Sequence, residues 1–111
     1  MLSIDCLDNS GYIVARMRYH IVLATEAVRD LKALKAHLRA AVRDGIERHL
    51  RGQPTRMGKS RVKRLRGVSR PQFRLRVGEV RVFYDVSGRT VEILAIVPKS
   101  RANQWLKEAG G

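Results

Sequence analysis

The segment Phe73-Arg74-Leu75-Arg76-Val77-Gly78-Glu79-Val80-Arg81-Val82-Phe83-Tyr84 decides the fold. On both sides of Gly78-Glu79 apolar residues recur at every second position, the period of a half-buried strand. Gly78-Glu79 suits a two-residue type II′ turn, which takes Gly at its first central position. That turn sets a register in which Val77 faces Val80, Arg76 faces Arg81, Leu75 faces Val82, Arg74 faces Phe83 and Phe73 faces Tyr84. The valine, leucine and Phe73/Tyr84 pairs make one apolar face. The other face carries Arg74, Arg76 and Arg81.

This second face is chemically demanding. Cβ atoms of directly opposed residues stand roughly 4.5–5.5 Å apart, and like charges so placed destabilise a hairpin. Arginine cannot relieve the strain by losing its proton. A phosphate held between the guanidiniums would, because arginine binds phosphate bidentately. Splaying into water, or pairing with Asp85 or Glu92, are the other outlets.

Working outward, residues 90–97 (Thr-Val-Glu-Ile-Leu-Ala-Ile-Val) read as a central strand covered on both faces. Ser87-Gly88 supplies the preceding turn, and Pro98 ends the strand. Lys99 to Glu108 form a short terminal helix. Upstream, Tyr19 to Leu23 is β-prone, and Thr25 is the expected N-cap of a helix with Glu26 in its first turn. Ala27, Leu31, Leu34 and Leu38, then Val42, Ile46 and Leu50, recur at helical spacing. The spacing permits one long helix or two; a domain this small favours a hairpin of two, broken near Lys35–His37, stopped by Gly52-Gln53-Pro54 and followed by a polar loop over 55–61. The predicted order is β-α-α-β-β-β-β-α. This is an α+β fold with a two-helix hairpin on one face of a mostly antiparallel sheet of four to five strands. Residues 1–16 are expected to be an N-terminal arm, and 17–108 a single domain.

Composition narrows the partners. The chain has 111 residues, 44% of them hydrophobic, and a net charge of +13. That imbalance points to a polyanionic partner: nucleic acid, a membrane surface or an acidic protein. Between residues 56 and 81 there are ten basic residues and one acid, Glu79, whereas the first 55 residues hold nine basic and six acidic. The anion site therefore belongs to the second half. Aromatic residues are only 5%, which argues against folds that read bases on exposed rings. Cys6 is the one cysteine, excluding an internal disulfide and a cysteine-rich zinc site. No apolar run is long enough for a membrane span and no signal peptide is visible, so the cytoplasm is the expected compartment.

The Arg-x-Arg-x-Gly-x-x-Arg-x-x-Tyr pattern at 74–84, with Leu65-Arg66-Gly67 before it and Lys99-Ser100-Arg101 after it, resembles the RelE/ParE toxin superfamily. Ala27-Val28-Arg29-Asp30-Leu31 is similar to that family's first helix. The likeness runs from Met17 to about Leu106 and is specific for the superfamily rather than for a branch. The RelE branch implies the toxin of a type II toxin–antitoxin pair that cuts messenger RNA on the ribosome. There the ribose 2′-hydroxyl attacks the adjacent phosphate without metal or other cofactor. The resemblance implies catalytic roles for Arg74, Arg76 and Arg81, and phosphate or RNA contacts for Arg64, Arg66, Lys99 and Arg101. It also implies an acidic RelB- or Phd-like antitoxin, forming a hetero-oligomer with a toxin that is monomeric alone.

Two departures bear on the chemistry. Arginines stand at 74 and 76 where the RelE pattern has lysines, and Trp105 or Leu106 falls where the family often has a tyrosine. Phosphate-positioning groups are thus present, while the acid and base are not identified. Two rivals follow: a ParE-like gyrase inhibitor on the same fold, and a non-enzymatic module binding RNA or the ribosome. His20, His37 and His49 are read as surface or packing residues, Tyr84 as core, and Trp105 as packing for the terminal helix.

Overall fold

A computed structural model describes residues 18–56, 61–67 and 70–110. The arm expected at residues 1–16, with Cys6, lies outside them.

Strand β1 (His20–Leu23) leads into helices α1 (Thr25–Ala33) and α2 (Ala36–His49). Strands β2 (Val62–Arg64), β3 (Phe73–Val77), β4 (Val80–Ser87) and β5 (Thr90–Pro98) follow, and helix α3 (Lys99–Gly110) closes the fold. The five strands form one sheet in the order β1-β5-β4-β3-β2. Only the β1–β5 pair is parallel. This is the α+β architecture expected from the sequence.

The β3–β4 register is the one the turn chemistry dictates, from Val77↔Val80 to Phe73↔Tyr84. Gly78 has φ +58°, and no residue other than glycine has positive φ among those described. A type I′ turn would need positive φ at Glu79 as well, so the turn is type II′.

One sheet face carries the main core. Ala27 of α1 and Val42, Ile46 and, just after it, Leu50 of α2 pack on Leu75, Val82, Tyr84, Val91 and Ile93. Gly45 lets α2 come close to the sheet, for a Cβ there would lie 2.9 Å from Val77 Cγ2. Tyr84 is fully buried, and its hydroxyl donates to the Pro54 carbonyl at 2.6 Å. Burial raises its phenol pKa.

Two joints lock the helices to this face. Arg39 donates to the carbonyls of Leu34 (2.9 Å) and Leu31 (3.4 Å) at the end of α1, where carbonyls run short of intrahelical partners. The Asp30 carboxylate accepts the Ile96 N–H at 2.9 Å, tying α1 to β5. One local expectation fails: the N-cap of α1 is Ala24, with no side-chain cap, and Thr25 is already helical. The entry is held instead by strand-to-loop bonds, including Ala24 N–H to the Ile93 carbonyl at 2.8 Å.

On the opposite face α3 folds back over Phe83 and Ala95. Ala102, Leu65, Val97, Trp105 and Leu106 complete a second, smaller core. The Phe83 and Trp105 rings stack at 4.8 Å with 10° between planes. β5 is therefore covered on both sides, as its uniform apolarity requires.

Candidate functional site

Side chains alternate along a strand, so Arg74, Arg76 and Arg81 share the α3 face with Phe83. Lys63 joins them, because β2 pairs Lys63 with Arg74. The three arginines are close enough to depress the Arg74 pKa. Desolvation by burial is the larger cause, followed by the charges of Arg81 and then Arg76. Arg74 is half-buried, and its Nε is a buried donor with no hydrogen-bond partner. Leaving such a donor unmade costs on the order of 1–3 kcal/mol. The face therefore holds an unsatisfied charge.

The acids that could have neutralised it are engaged elsewhere. Asp85 and Glu92 lie opposite each other across β4 and β5. Arg70 bridges them, at 2.7 Å to Asp85 and 3.1 Å to Glu92. Asp85 also accepts the Gln72 N–H at 2.7 Å, and the Gln72 side chain takes the Val86 N–H at 2.9 Å. Among the described residues no carboxylate forms an ion pair with Arg74 or Arg81.

One further feature adds positive potential at the turn. The first N–H of α3, from Lys99, donates to the Glu79 carbonyl at 2.7 Å. The positive end of the α3 dipole is thereby fixed beside the arginine hairpin.

The matching family, over residues 21–103, is that of the ParE toxin of parDE type II toxin–antitoxin systems. The RelBE2 toxin–antitoxin complex of Mycobacterium tuberculosis contains a similar chain, 30% identical, with a TM-score of 0.61. The match covers 74% of this protein and 92% of that chain.

The chain belongs to the RelE/ParE superfamily of type II toxin–antitoxin toxins.

A chain of the RelB–RelE complex of Methanococcus jannaschii shares the fold of this toxin at 22% identity and TM-score 0.57, covering 76% of this toxin and 96% of that chain. No curated protein sequence matches it significantly.

The toxin does not assemble all the residues the sequence nominated. Arg76 is exposed on the face, and Arg74 is half-buried beside it. Arg81 is only 6% exposed, contrary to the open clamp expected. Its Nη1 donates to the carbonyls of Gly78 (2.8 Å) and Val80 (3.2 Å). Arg64 points to the other face, because it is paired with Phe73, and its guanidinium sits 5.3 Å from that ring. Arg66 is exposed in the loop after β2. Lys99 and Arg101 are exposed on the first turn of α3, and Arg101 lines a cleft of about 550 Å³ between α1 and α3.

Sequence reading missed two contributors. Lys63 was legible in principle, since it alternates with the apolar Val62. Arg70 was not, because its loop gives no periodicity to say which strand it meets. Among the described residues no three of His, Cys, Asp and Glu stand together as metal donors, and no helix is long and apolar enough to cross a membrane.

Proposed function

We propose that this toxin is an endoribonuclease that cuts messenger RNA on the ribosome. The observation that carries this reading is the Arg74–Arg76–Arg81 cluster. One of its donors is buried without a partner, and the neighbouring acids are held by Arg70. A bridging phosphate on the exposed ends of this cluster relieves the repulsion among the guanidiniums.

In this mechanism Arg76 and Arg74 grip the scissile phosphate, while Arg81 holds the turn and contributes charge from beneath. The 2′-oxygen attacks phosphorus and the 5′-oxygen leaves, giving a 2′,3′-cyclic phosphate and a 5′-hydroxyl. Water takes the 2′-hydroxyl proton and returns one to the leaving oxygen. The protein supplies orientation and stabilises the charge growing on the phosphate oxygens, and arginine, unlike lysine, gives little proton transfer. Ribosomal confinement of the RNA would make orientation alone effective.

Purified toxin should cut messenger RNA on translating ribosomes and leave free RNA largely intact. Arg76→Ala should slow cleavage by about 10²-fold or more, the usual loss for a charge-stabilising donor. His37→Ala, exposed on α2, should cut normally; equal losses in the two variants would refute the site.

The second reading is gyrase inhibition. It draws support from the ParE family match and from the burial of Arg81, which is only 6% exposed. Blocked DNA supercoiling with no RNA cut would establish it. For either target, a +13 chain whose solved relatives are in complexes with RelB antitoxins suits an acidic antitoxin partner in the cytoplasm.

A further inference from the structure

The far end of the sheet carries a second cluster of cations, built around a pocket. Tyr19, Gly52, Gln53, Thr55, Arg56 and Arg89 enclose about 410 Å³, within the usual range for small-ligand sites, roughly 300–1,000 Å³. No carboxylate is among these lining residues. Tyr19 supplies a half-buried aromatic wall that packs against the main core.

Three chain segments are pinned together to make it. Tyr19 N–H donates to the Arg51 carbonyl at 2.7 Å, and Arg51 Nη1 returns a bond to the Tyr19 carbonyl at 3.1 Å. His20 N–H donates to the Arg89 carbonyl at 2.8 Å, just after Gly88 with its φ of +58°. Arg56 donates to the Gln53 side chain at 3.0 Å and Arg89 to the Arg18 carbonyl at 3.4 Å. Each contact occupies one nitrogen of a fork that has five N–H donors.

We propose that this pocket is a second RNA-contacting site, taking one nucleotide with its base against Tyr19 and its phosphate on Arg56 and Arg89. The inference rests on the ribonuclease reading. A ring beside two guanidiniums suits a base joined to a phosphate, because stacking and charge pairing are used at once. A carboxylate of an acidic protein would use only the charges. Phe83 and Arg81, the partners of Arg74 and Arg76, lie four and six residues from Ser87, about 13 and 20 Å along β4. At about 3.4 Å per stacked nucleotide, that is roughly four to six nucleotides, and fewer for an extended strand. A dinucleotide therefore reaches only one of the sites.

The test is anisotropy of dye-labelled single-stranded RNA, a dinucleotide and a dodecanucleotide, binding the full-length purified toxin across a salt series. Arg56→Gln combined with Arg89→Gln should weaken the dodecanucleotide about tenfold and flatten its salt slope by about 1.4, two contacts at roughly 0.7 each. The dinucleotide, able to use the arginine hairpin alone, should change less than threefold. Tyr19→Phe should bind like the wild type and Tyr19→Leu should weaken the longer strand, with thermal unfolding confirming that each variant is folded. An unchanged dodecanucleotide slope overturns the site. So does an equal loss for both lengths, or a loss of antitoxin affinity with RNA binding intact. Wild-type toxin binding neither RNA, on or off the ribosome, would instead remove the ribonuclease reading along with it.

Discussion

Phe83 and Tyr84 are adjacent on β4, and both are fully buried, yet they serve opposite faces of the sheet. Tyr84 stacks on Phe73 at 5.5 Å in a core fed by two helices and all five strands. Phe83 stacks on Trp105 in a smaller patch under one helix, on the face that also carries the hairpin arginines. The helix-hairpin face satisfies its polar groups: the Tyr84 hydroxyl, the end of α1 and the Ile96 N–H all have partners. The α3 face leaves Arg74 Nε without one and sets like charges across a strand pair. Stability is concentrated on one side of the sheet, and unsatisfied charge on the other. A fold can carry such a face only if its opposite face more than offsets the cost.

Truncating the two neighbours tests this asymmetry most strongly. Tyr84→Ala should cost about 3–5 kcal/mol, the range for emptying a large aromatic site in a well-packed core, and strand the Pro54 carbonyl as well. Phe83→Ala should cost less, about 2 kcal/mol, because α3 can lift off locally while the rest stays folded. Urea unfolding followed by far-UV circular dichroism gives both values. Trp105 emission should shift red in the folded Phe83→Ala variant and stay put in Tyr84→Ala at temperatures where it is still native. Equal losses, with Trp105 unmoved in both, would show that the two faces form one cooperative core.

The same asymmetry explains what could be read in advance. The hairpin register followed from parity and one glycine, because slipping by a residue would have put Arg76 and Arg81 in the main core. The strand 90–97 declared itself by being apolar on both faces. The site was less legible because it depends on side-chain direction after the strands end. Arg64 differs from Lys63 by one position, and the alternation sent it over Phe73 instead of beside Arg74. Arg81 occupies the predicted register, but its guanidinium turns back onto the Gly78 and Val80 carbonyls, which no strand pattern encodes. The α1 cap went to Ala24 because tertiary bonds to β5 outweighed the preference for a capping hydroxyl.

A gentler perturbation addresses the charge face alone. Arg76→Gln removes one of the opposed like charges while keeping a long polar side chain. Stability should rise by about 0.5 kcal/mol at low ionic strength, the scale of an unfavourable cross-strand pair. Added salt should erase most of that gain by screening the wild type. Activity and stability would thus move in opposite directions from one substitution. A variant less stable than wild type at low salt would mean that the other contacts of Arg76 outweigh the repulsion it suffers.

The smallest effect is expected where the two faces meet electrically, at the end of α2. His49 Nε2 lies 3.1 Å from Arg61 Nη1, and the Arg61 carbonyl accepts the N–H of Arg76 at 2.7 Å. Guanidinium only donates, so Nε2 must accept and the ring is neutral with its proton on Nδ1. Burial lowers the His49 pKa, helped by Arg61 and Arg48 and opposed by Asp44. With the folded value below the unfolded one of about 6.5, the unfolded chain takes up its proton first as pH falls. The stabilising contribution is therefore complete above about pH 6.5 and drains away as pH drops toward the folded value. His49→Gln keeps an acceptor for Arg61 without the titration, so its urea midpoint should fall less steeply than that of the wild type between about pH 7.5 and 5.5. Working above the usual carboxylate range keeps Glu47 out of the measurement, since its hydrogen bond to Arg51 holds its pKa below even the ordinary value. Parallel pH profiles for the two proteins would mean that the Arg61 contact does not form in solution. The α2 terminus would then be decoupled from the strand pair that presents Arg76.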